Sequence, residues 1–135
     1  QVQADKRKNT FTANIATAYP AEAEVESWIR SYSLQKGQLR ISDSFRLTTA
    51  KQPNQINFMT WGQVNTEIPG KIQLEVKGKK AVIEYDKQLF DVKTEIIPLT
   101  DTRLSNVWGK SICRITLTAT NIYKTGNYSF TIKKQ

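Results

Sequence analysis

The stretch from Trp28 to Thr49, WIRSYSLQKGQLRISDSFRLTT, constrains the fold more than any other part of the chain. Apolar residues recur at every second position on either side of Lys36-Gly37, where glycine supplies the backbone freedom that a tight turn needs. Successive side chains of a strand point to opposite sides of a sheet, so this period predicts two antiparallel strands joined by a turn. Asp43 falls on the apolar face of the second strand, and a bulge or a strand end would account for it.

The remaining apolar segments follow the same alternation and predict an all-β fold. Lys71 to Tyr85 is typical of a second hairpin that turns at Gly78. Gln55 to Val64 carries large apolar groups on both faces, which predicts a central strand covered twice. Cys113 to Ala119 and Tyr128 to Ile132 supply two further inward rows. Short strands separated by turns indicate an antiparallel sandwich or barrel, and we expect a β-sandwich.

Little helix is expected. Residues 21–27, AEAEVES, predict at most one short helical turn, with acidic residues near its start where the helix dipole favours them. Residues 100–110 are interpreted as an irregular connection between strands. The polar residues 1–10 are predicted to be a linker or an end strand.

The length of 135 residues and the 39% hydrophobic composition suit one folded domain, residues 1–135. No apolar run approaches the ~20 residues that a membrane-spanning helix needs, so no membrane span is expected. The chain begins at Gln1 without a methionine or a signal peptide, and we interpret it as a piece of a longer protein.

Histidine is absent from the sequence. The commonest general base, the commonest zinc ligand and the histidine-activated nucleophiles are therefore missing. Cys113 is the only cysteine, which rules out an internal disulfide and is interpreted as a small buried thiol. We predict no catalytic residue, no metal ligand and no cofactor in this segment.

The formal charge of +8 and the pI near 9.7 favour acidic partners such as a sulfated or uronic polysaccharide. The alternative is a lysine-rich surface that only keeps the protein soluble. The same two interpretations apply to Lys77, Lys79 and Lys80 at the turn of the second predicted hairpin. Nucleic acid is not an expected partner, because the aromatic residues are predicted to face inward and leave no exposed stacking platform.

Several stretches together resemble the C-terminal part of bacterial heparinase II/III-like polysaccharide lyases. The resemblance runs over most of residues 11–133 and is carried by five segments: Ala18 to Ala23, Val25 to Tyr32 (VESWIRSY), Ile41 to Leu47 (ISDSFRL), Asn54 to Gly62 (NQINFMTWG) and Arg103 to Gly109 (RLSNVWG). Members of this family carry a β-sandwich after an (α/α) toroid and a larger β region, and they cleave uronic-acid-containing polysaccharides by β-elimination.

The resemblance implies a non-catalytic C-terminal β-sandwich domain that packs on the upstream toroid and β domains of the same chain. It implies a parent protein that is periplasmic or secreted, with a homodimer contact as a further expectation. The family's catalytic tyrosine, histidine, asparagine and arginine come chiefly from the upstream regions, and no residue of this segment matches them.

The tryptophans suggest an alternative function, a carbohydrate-binding module for acidic polysaccharide. Aromatic faces stack on the C–H faces of pyranose rings, and ligand sites combine such surfaces with a few polar groups. The candidate sugar contacts are Trp108, Arg103 and Lys110 in one segment, together with Trp61. For Trp108 and Trp61 the alternative is packing within the sandwich or against a neighbouring domain, and Trp28 is predicted to lie in the core.

Overall fold

Strands make up most of residues 2–135, the part of the chain that this computed structural model describes. The strands of this part have the following bounds: β1 Val2–Asp5, β2 Thr10–Asn14, β3 Val25–Gln35, β4 Gln38–Leu47, β5 Gln55–Thr60, β6 Gln63–Asn65, β7 Lys71–Val76, β8 Lys79–Glu84, β9 Phe90–Pro98, β10 Ser111–Ala119 and β11 Thr125–Lys134. A short helix, α1, covers Thr102–Trp108, and 3-10 turns cover Ala16–Ala18 and Ala21–Ala23.

The strands form two antiparallel sheets that pack together, and this confirms the predicted all-β sandwich. The larger sheet has eight strands in the order β1-β2-β3-β4-β11-β8-β7-β6, and the smaller has three in the order β5-β10-β9. Because three strands cannot cover eight, part of the inner face of the larger sheet has no sheet opposite it.

The hairpin predicted from Trp28 to Thr49 is confirmed as β3 and β4. Leu34 pairs with Leu39 across the turn, and the two turn residues, Lys36 and Gly37, have φ angles of 50° and 73°. Positive φ at both central positions gives the turn a twist that matches the right-handed twist of the flanking strands. The hairpin thereby fixes the register at the centre of the larger sheet.

The core lies between the middle of the larger sheet and the smaller sheet. Phe130 on β11 is 1% exposed and meets Phe58 of β5 edge to face, with ring centroids 5.5 Å apart. The predicted inward row of β10 is also buried, and Cys113 is a buried free thiol within it. Lys71–Val76 and Lys79–Glu84 form the second predicted hairpin as β7 and β8.

Asp43 is buried for a reason that the sequence analysis missed. It lies in the interior of β4 directly opposite Arg30 of β3, and the register shift between these strands occurs far from it, at Val25 and Ser27. The guanidinium Nε and Nη2 of Arg30 donate to Oδ1 and Oδ2 of Asp43 at 2.7 and 2.6 Å. The hydrogen bond that Arg30 donates to Asp43 raises the pKa of Arg30, against the lowering effect of burial. The pairing with Arg30, and not a bulge, therefore explains why a charged residue occupies the apolar face of β4.

The prediction that Gln55–Val64 is one central strand is wrong. The segment is divided: β5 is an edge strand of the smaller sheet, and β6 is an edge strand of the larger sheet. The chain crosses between them at Trp61 and Gly62, where a Cβ on Gly62 would lie 2.3 Å from the carbonyl oxygen of Glu75. The segment Gln55–Val64 therefore carries apolar groups on both faces because it contributes to two sheets and to the pocket described below.

The irregular connection predicted for residues 100–110 is also wrong, because α1 lies within it. The Asp101 side chain caps the helix by accepting from the backbone N–H of Arg103 at 2.8 Å, and Gly109 with φ 87° ends it. The helical turn predicted at 21–27 is confined to Ala21–Ala23. Within residues 1–10, Val2–Asp5 is an edge strand of the larger sheet, and Gln1 lies outside the described residues.

Candidate functional site

The end of the sandwich where β5 and β9 finish and β10 begins carries an apolar pocket. Its volume is about 350 Å³, near the lower end of the range typical of small-ligand sites. We name it the tryptophan pocket, and its lining residues are Met59, Thr60, Trp61, Val76, Leu99, Leu104, Trp108 and Ile112. The pocket joins strands of both sheets to α1, so the fold assembles it from four separate parts of the chain.

Trp61 is held in the pocket by its neighbours. It directly follows β5 and is partly buried. The Nζ atom of Lys77 lies 5.0 Å from the centroid of the indole ring, a cation–π geometry. A Cβ on Gly109 would lie 3.5 Å from the Trp61 Nε1 atom, so the end of α1 contacts the ring closely. One face of Trp61 is therefore paired with a cation, and its edge is packed against the helix end.

Trp108 reaches the pocket as the last residue of α1. Leu104 lies four residues earlier and shares the same helix face, so both side chains point into the pocket. Trp108 is 50% exposed, whereas Trp28 is 5% exposed and stacked on Phe45 at 5.0 Å. Trp28 is thus a core residue as predicted, while Trp108 presents half of its surface to solvent and closes the pocket with the rest.

The predicted basic partners of Trp108 do not line the pocket. Arg103 precedes Trp108 by five residues, which places it on a different side of the helix, about 7.5 Å further along the axis. Its side chain is 91% exposed and pairs with Asp101 at 3.1 Å; this hydrogen bond lowers the pKa of Asp101. Lys110 is exposed just beyond α1 and is not part of the lining. The cation that the structure brings to Trp61 is Lys77.

Sequence reasoning found both tryptophans but not their association. The signal that was missed is local: Asp101 is a favoured N-cap residue and Gly109 a favoured helix terminator. A helix between them puts Leu104 and Trp108 on one face. The proximity of Trp61 depends on the chain crossing between sheets, and that crossing has no pattern in the sequence.

A more polar cavity of about 560 Å³ lies at the opposite end of the sandwich. Tyr19, Glu22, Glu24 and Asn54 are among its lining residues. Two further lining residues, Trp28 and Thr49, carry a buried Nε1 and a buried Oγ1 that have no hydrogen-bond partner within residues 2–135. Bound water is the ordinary partner of such atoms, so this cavity is interpreted as a structural one.

Within residues 2–135, no three His, Cys, Asp or Glu side chains come together where they would hold a metal ion. The helices of this same part of the chain are too short and too polar to cross a membrane. The arrangement at the tryptophan pocket offers apolar and aromatic surface beside one cation, which suits binding.

Comparison with known proteins adds no family to this description. Neither the scan against protein-family models nor the search of curated proteins gives a match to the chain.

Proposed function

We propose that the chain is a non-catalytic β-sandwich domain of a heparinase II/III-like polysaccharide lyase. The five sequence segments named above support this assignment, and the β-sandwich is the fold that the resemblance implies. The parent enzyme would cleave acidic, uronic-acid-containing polysaccharide by β-elimination in the periplasm or outside the cell. The role of this domain would be to pack on the upstream catalytic region and support it.

The uncovered part of the larger sheet is the observation that carries the packing role. We name as the β1–β3 flank the inner-face residues Val2, Phe11, Tyr32 and Leu34, which share one side of the sheet by register. Three of them are exposed: Val2 by 66%, Leu34 by 52% and Phe11 by 41%. Grouped apolar exposure on a sheet face is typical of an interaction surface. The flank is the face to which the upstream region would bind.

The non-catalytic role is supported by comparing the side chains of this chain with those that elimination chemistry requires. Removal of the C5 proton needs a base, and protonation of the leaving oxygen needs an acid. The sequence contains no histidine. The most buried tyrosine, Tyr128, accepts a hydrogen bond from Asn54 at 3.0 Å in the core, and burial raises its pKa. A tyrosine in that setting is poorly suited to act as a base.

The assignment is tested first on the encoding gene. The reading frame should continue upstream of Gln1 into a helical toroid and a β region. A start codon or a stop codon directly before Gln1 would remove the proposed partner and overturn the assignment.

Packing by the β1–β3 flank is tested with the double substitution Phe11→Ser and Leu34→Ser, made both in the 135-residue chain and in the longer polypeptide. In the longer polypeptide these side chains would be buried, so we expect a loss of about 3 kcal/mol in unfolding free energy. In the 135-residue chain the loss should be well below that. Val107→Ser is the matched control, since Val107 is 71% exposed and lies outside the flank. An equal loss in both polypeptides would contradict docking at this face.

Catalysis is tested by incubating the 135-residue chain with heparin, heparan sulfate, chondroitin sulfate and alginate. Ultraviolet absorbance follows the unsaturated uronate that elimination produces. No product is expected from the chain alone, and accumulation of unsaturated product would overturn the non-catalytic role.

A second candidate function, sugar contact, is favoured by the tryptophan pocket. It combines two indoles with one lysine at an accessible end of the fold, and Trp108 keeps half of its surface free. An acidic sugar would pack its C–H face on the pocket wall and bring its carboxylate or sulfate near Lys77. This function is compatible with the lyase assignment and does not depend on it.

The sugar contact is tested by comparing Trp108→Ala with Val107→Ala on the same helix. Val107 is exposed and does not line the pocket, so it controls for changes in α1 itself. Binding of acidic oligosaccharides, measured by tryptophan fluorescence and calorimetry, should weaken about tenfold with Trp108→Ala and stay unchanged with Val107→Ala. Equal affinity of the two variants would contradict the pocket as the contact.

A further inference from the structure

Basic side chains gather at one end of the larger sheet, the end that also carries the tryptophan pocket. The turns between β1 and β2, between β3 and β4 and between β7 and β8 all lie at this end, as does the last residue of β11. We name as the cationic row six exposed residues from these four places: Lys6, Arg7, Lys8, Lys36, Lys79 and Lys134.

The strand registers place the row on one line. Lys133 pairs with Gln38, which adjoins the β3–β4 turn, and Lys134 pairs with Ala81 near the start of β8. The β1–β2 turn adjoins the same end, because the amide of Leu34 donates to the carbonyl of Asn9 at 3.0 Å. Neighbouring strands are ~4.8 Å apart, so the five spacings from the β1–β2 turn to the β7–β8 turn give a row about 24 Å long.

Little of the charge of the row is compensated locally. In residues 2–135 the row residues form no ion pair with a carboxylate. The nearby Lys80 and Lys133 do form pairs, with Glu75 and Glu84 respectively. Asp5, the last residue of β1, accepts from the backbone amides of Arg7 and Lys8, and its charge offsets one of the three cations of the β1–β2 turn.

The opposite end of the sandwich has a different charge balance. The exposed cations there are Arg46, Lys51, Lys71, Lys87 and Lys124, and they are balanced by the carboxylates of Glu22, Glu24, Glu26, Glu67, Asp86 and Asp91. The net charge of +8 is therefore concentrated at the end with the tryptophan pocket. Solubility does not require the positive charge to lie at one end, so a solubilising role does not account for this difference.

The extended shape of the row favours binding of an anionic polymer over binding of a small anion. A single sulfate or carboxylate would meet two or three of these lysines and gain little, because each exposed contact is weak and screened by salt. A polymer with anionic groups at regular intervals meets the whole row and releases counterions from every contact.

The surroundings of the row favour a polysaccharide over a nucleic acid. Single-stranded nucleic acid gains most of its non-electrostatic affinity from bases stacked on exposed aromatic faces. One face of Trp61 is already paired with Lys77, and the exposed aromatic residues Phe11 and Trp108 lie at opposite ends of the row, not in a series along it. An apolar pocket at the end of the row suits the C–H face of one sugar unit, not a series of stacked bases.

We infer that an acidic polysaccharide binds along the cationic row, from the β1–β2 turn to the β7–β8 turn, with one sugar unit seated in the tryptophan pocket. This inference deepens the sugar contact proposed above, and it is independent of the lyase assignment. The row would supply most of the affinity for the polysaccharide, and the pocket would discriminate between sugar units.

The test uses the 135-residue chain with heparin fragments of defined length, titrated at several salt concentrations. The row variant carries Lys6→Glu, Lys79→Glu and Lys134→Glu. The matched control carries Lys51→Glu, Lys87→Glu and Lys124→Glu, which gives the same net charge with the changes at the opposite end. Circular dichroism and thermal unfolding confirm that both variants are folded.

We expect the row variant to lose heparin affinity by about tenfold or more, with a shallower dependence on salt, and the control to stay within about twofold of the original chain. Equal losses in the two variants would overturn the inference, since affinity would then follow net charge alone. Absence of heparin binding by the original chain at physiological salt would also overturn it. A single-stranded oligonucleotide of equal charge is the competing ligand, and tighter binding of it than of heparin would assign the row to nucleic acid instead.

The Trp108→Ala variant separates the row from the pocket. If the row variant loses affinity while Trp108→Ala keeps it, the row is supported and the pocket contact is removed. If only Trp108→Ala loses affinity, the pocket is supported and the row is overturned.

Discussion

One row of directly opposed residues crosses the larger sheet from a free face to a buried one. It runs through Ala4, Phe11, Tyr32, Ile41 and Phe130 on five neighbouring strands. Phe11 is 41% exposed, Ile41 is 7% exposed and Phe130 is 1% exposed. The alternation of apolar and polar residues is similar along these strands. Only the presence of the smaller sheet opposite Ile41 and Phe130 distinguishes core from surface.

Amphipathic alternation therefore indicates which face of a strand is turned inward, but not whether another layer covers that face. The β1–β3 flank carries the pattern of a core without the opposing layer. In a chain of this size an apolar face left open is typical of an interaction surface.

The largest effect is expected from Phe130→Ala in the covered part. Phe130 contacts both Phe58 and Phe90, and its removal leaves a cavity in a close-packed interior. We expect a loss of about 4 kcal/mol in unfolding free energy, measured by urea denaturation. Phe11→Ala is the control, because Phe11 belongs to the same series of cross-strand neighbours. If Phe11→Ala lowered the unfolding free energy as much as Phe130→Ala, the two regions would not differ in burial.

The ion pair at the boundary between the two regions should give the next largest effect. Asp43→Ala leaves the partly buried guanidinium of Arg30 without its carboxylate, and we expect a loss of about 3 kcal/mol. The double variant Arg30→Met with Asp43→Leu removes both charges and should recover most of that loss. If the single substitution changed stability by less than about 0.5 kcal/mol, the pair would have no structural role.

A pH effect of intermediate size is expected from Tyr128. Burial raises its pKa above the ordinary value of 10.0, so the protonated phenol is favoured in the folded state. Its contribution to stability is fully present below pH 10 and is lost as pH rises through the folded pKa. Urea denaturation between pH 8 and about 11 should therefore show a decline that is smaller in Tyr128→Phe. Identical declines in the two proteins would contradict this assignment.

The smallest effect is expected from Phe11→Ala in the uncovered part. With 41% of the residue exposed, the substitution should cost less than about 1 kcal/mol in the 135-residue chain. Its main consequence should instead be weaker binding of the hydrophobic dye ANS to the folded chain, because the flank loses its largest apolar side chain. Unchanged dye binding would indicate that another surface accounts for the signal.

The strands and the inner residues of the sandwich were predictable from the sequence because period-two alternation is a local property. The hairpin at Lys36-Gly37 and the buried row of β10 follow directly from it. Asp43 was misinterpreted because its partner, Arg30, is adjacent only across the hairpin. The register needed to pair them was available, and cross-strand charge matching would have found the ion pair.

The helix and the candidate site were less predictable. Seven residues are too few for an amphipathic period to be visible, so α1 depended on recognising its caps. The division of Gln55–Val64 between two sheets is a tertiary property, and both the tryptophan pocket and the edge position of β5 follow from it. The basic residues were visible as separate clusters, but their alignment at one end required the order β4-β11-β8-β7.

The most direct test is amide hydrogen exchange of the 135-residue chain, followed by NMR at each residue. It tests whether one part of the larger sheet belongs to the core while the other part is left uncovered. Exchange from regions with little packing proceeds through local opening, whereas core amides exchange only on global unfolding. We expect the slowest exchange in β4, β10 and β11, and exchange in β1 and β2 that is faster by orders of magnitude. Protection of β1 and β2 equal to that of β4 would contradict this expectation, because the flank would then be as firmly held as the core.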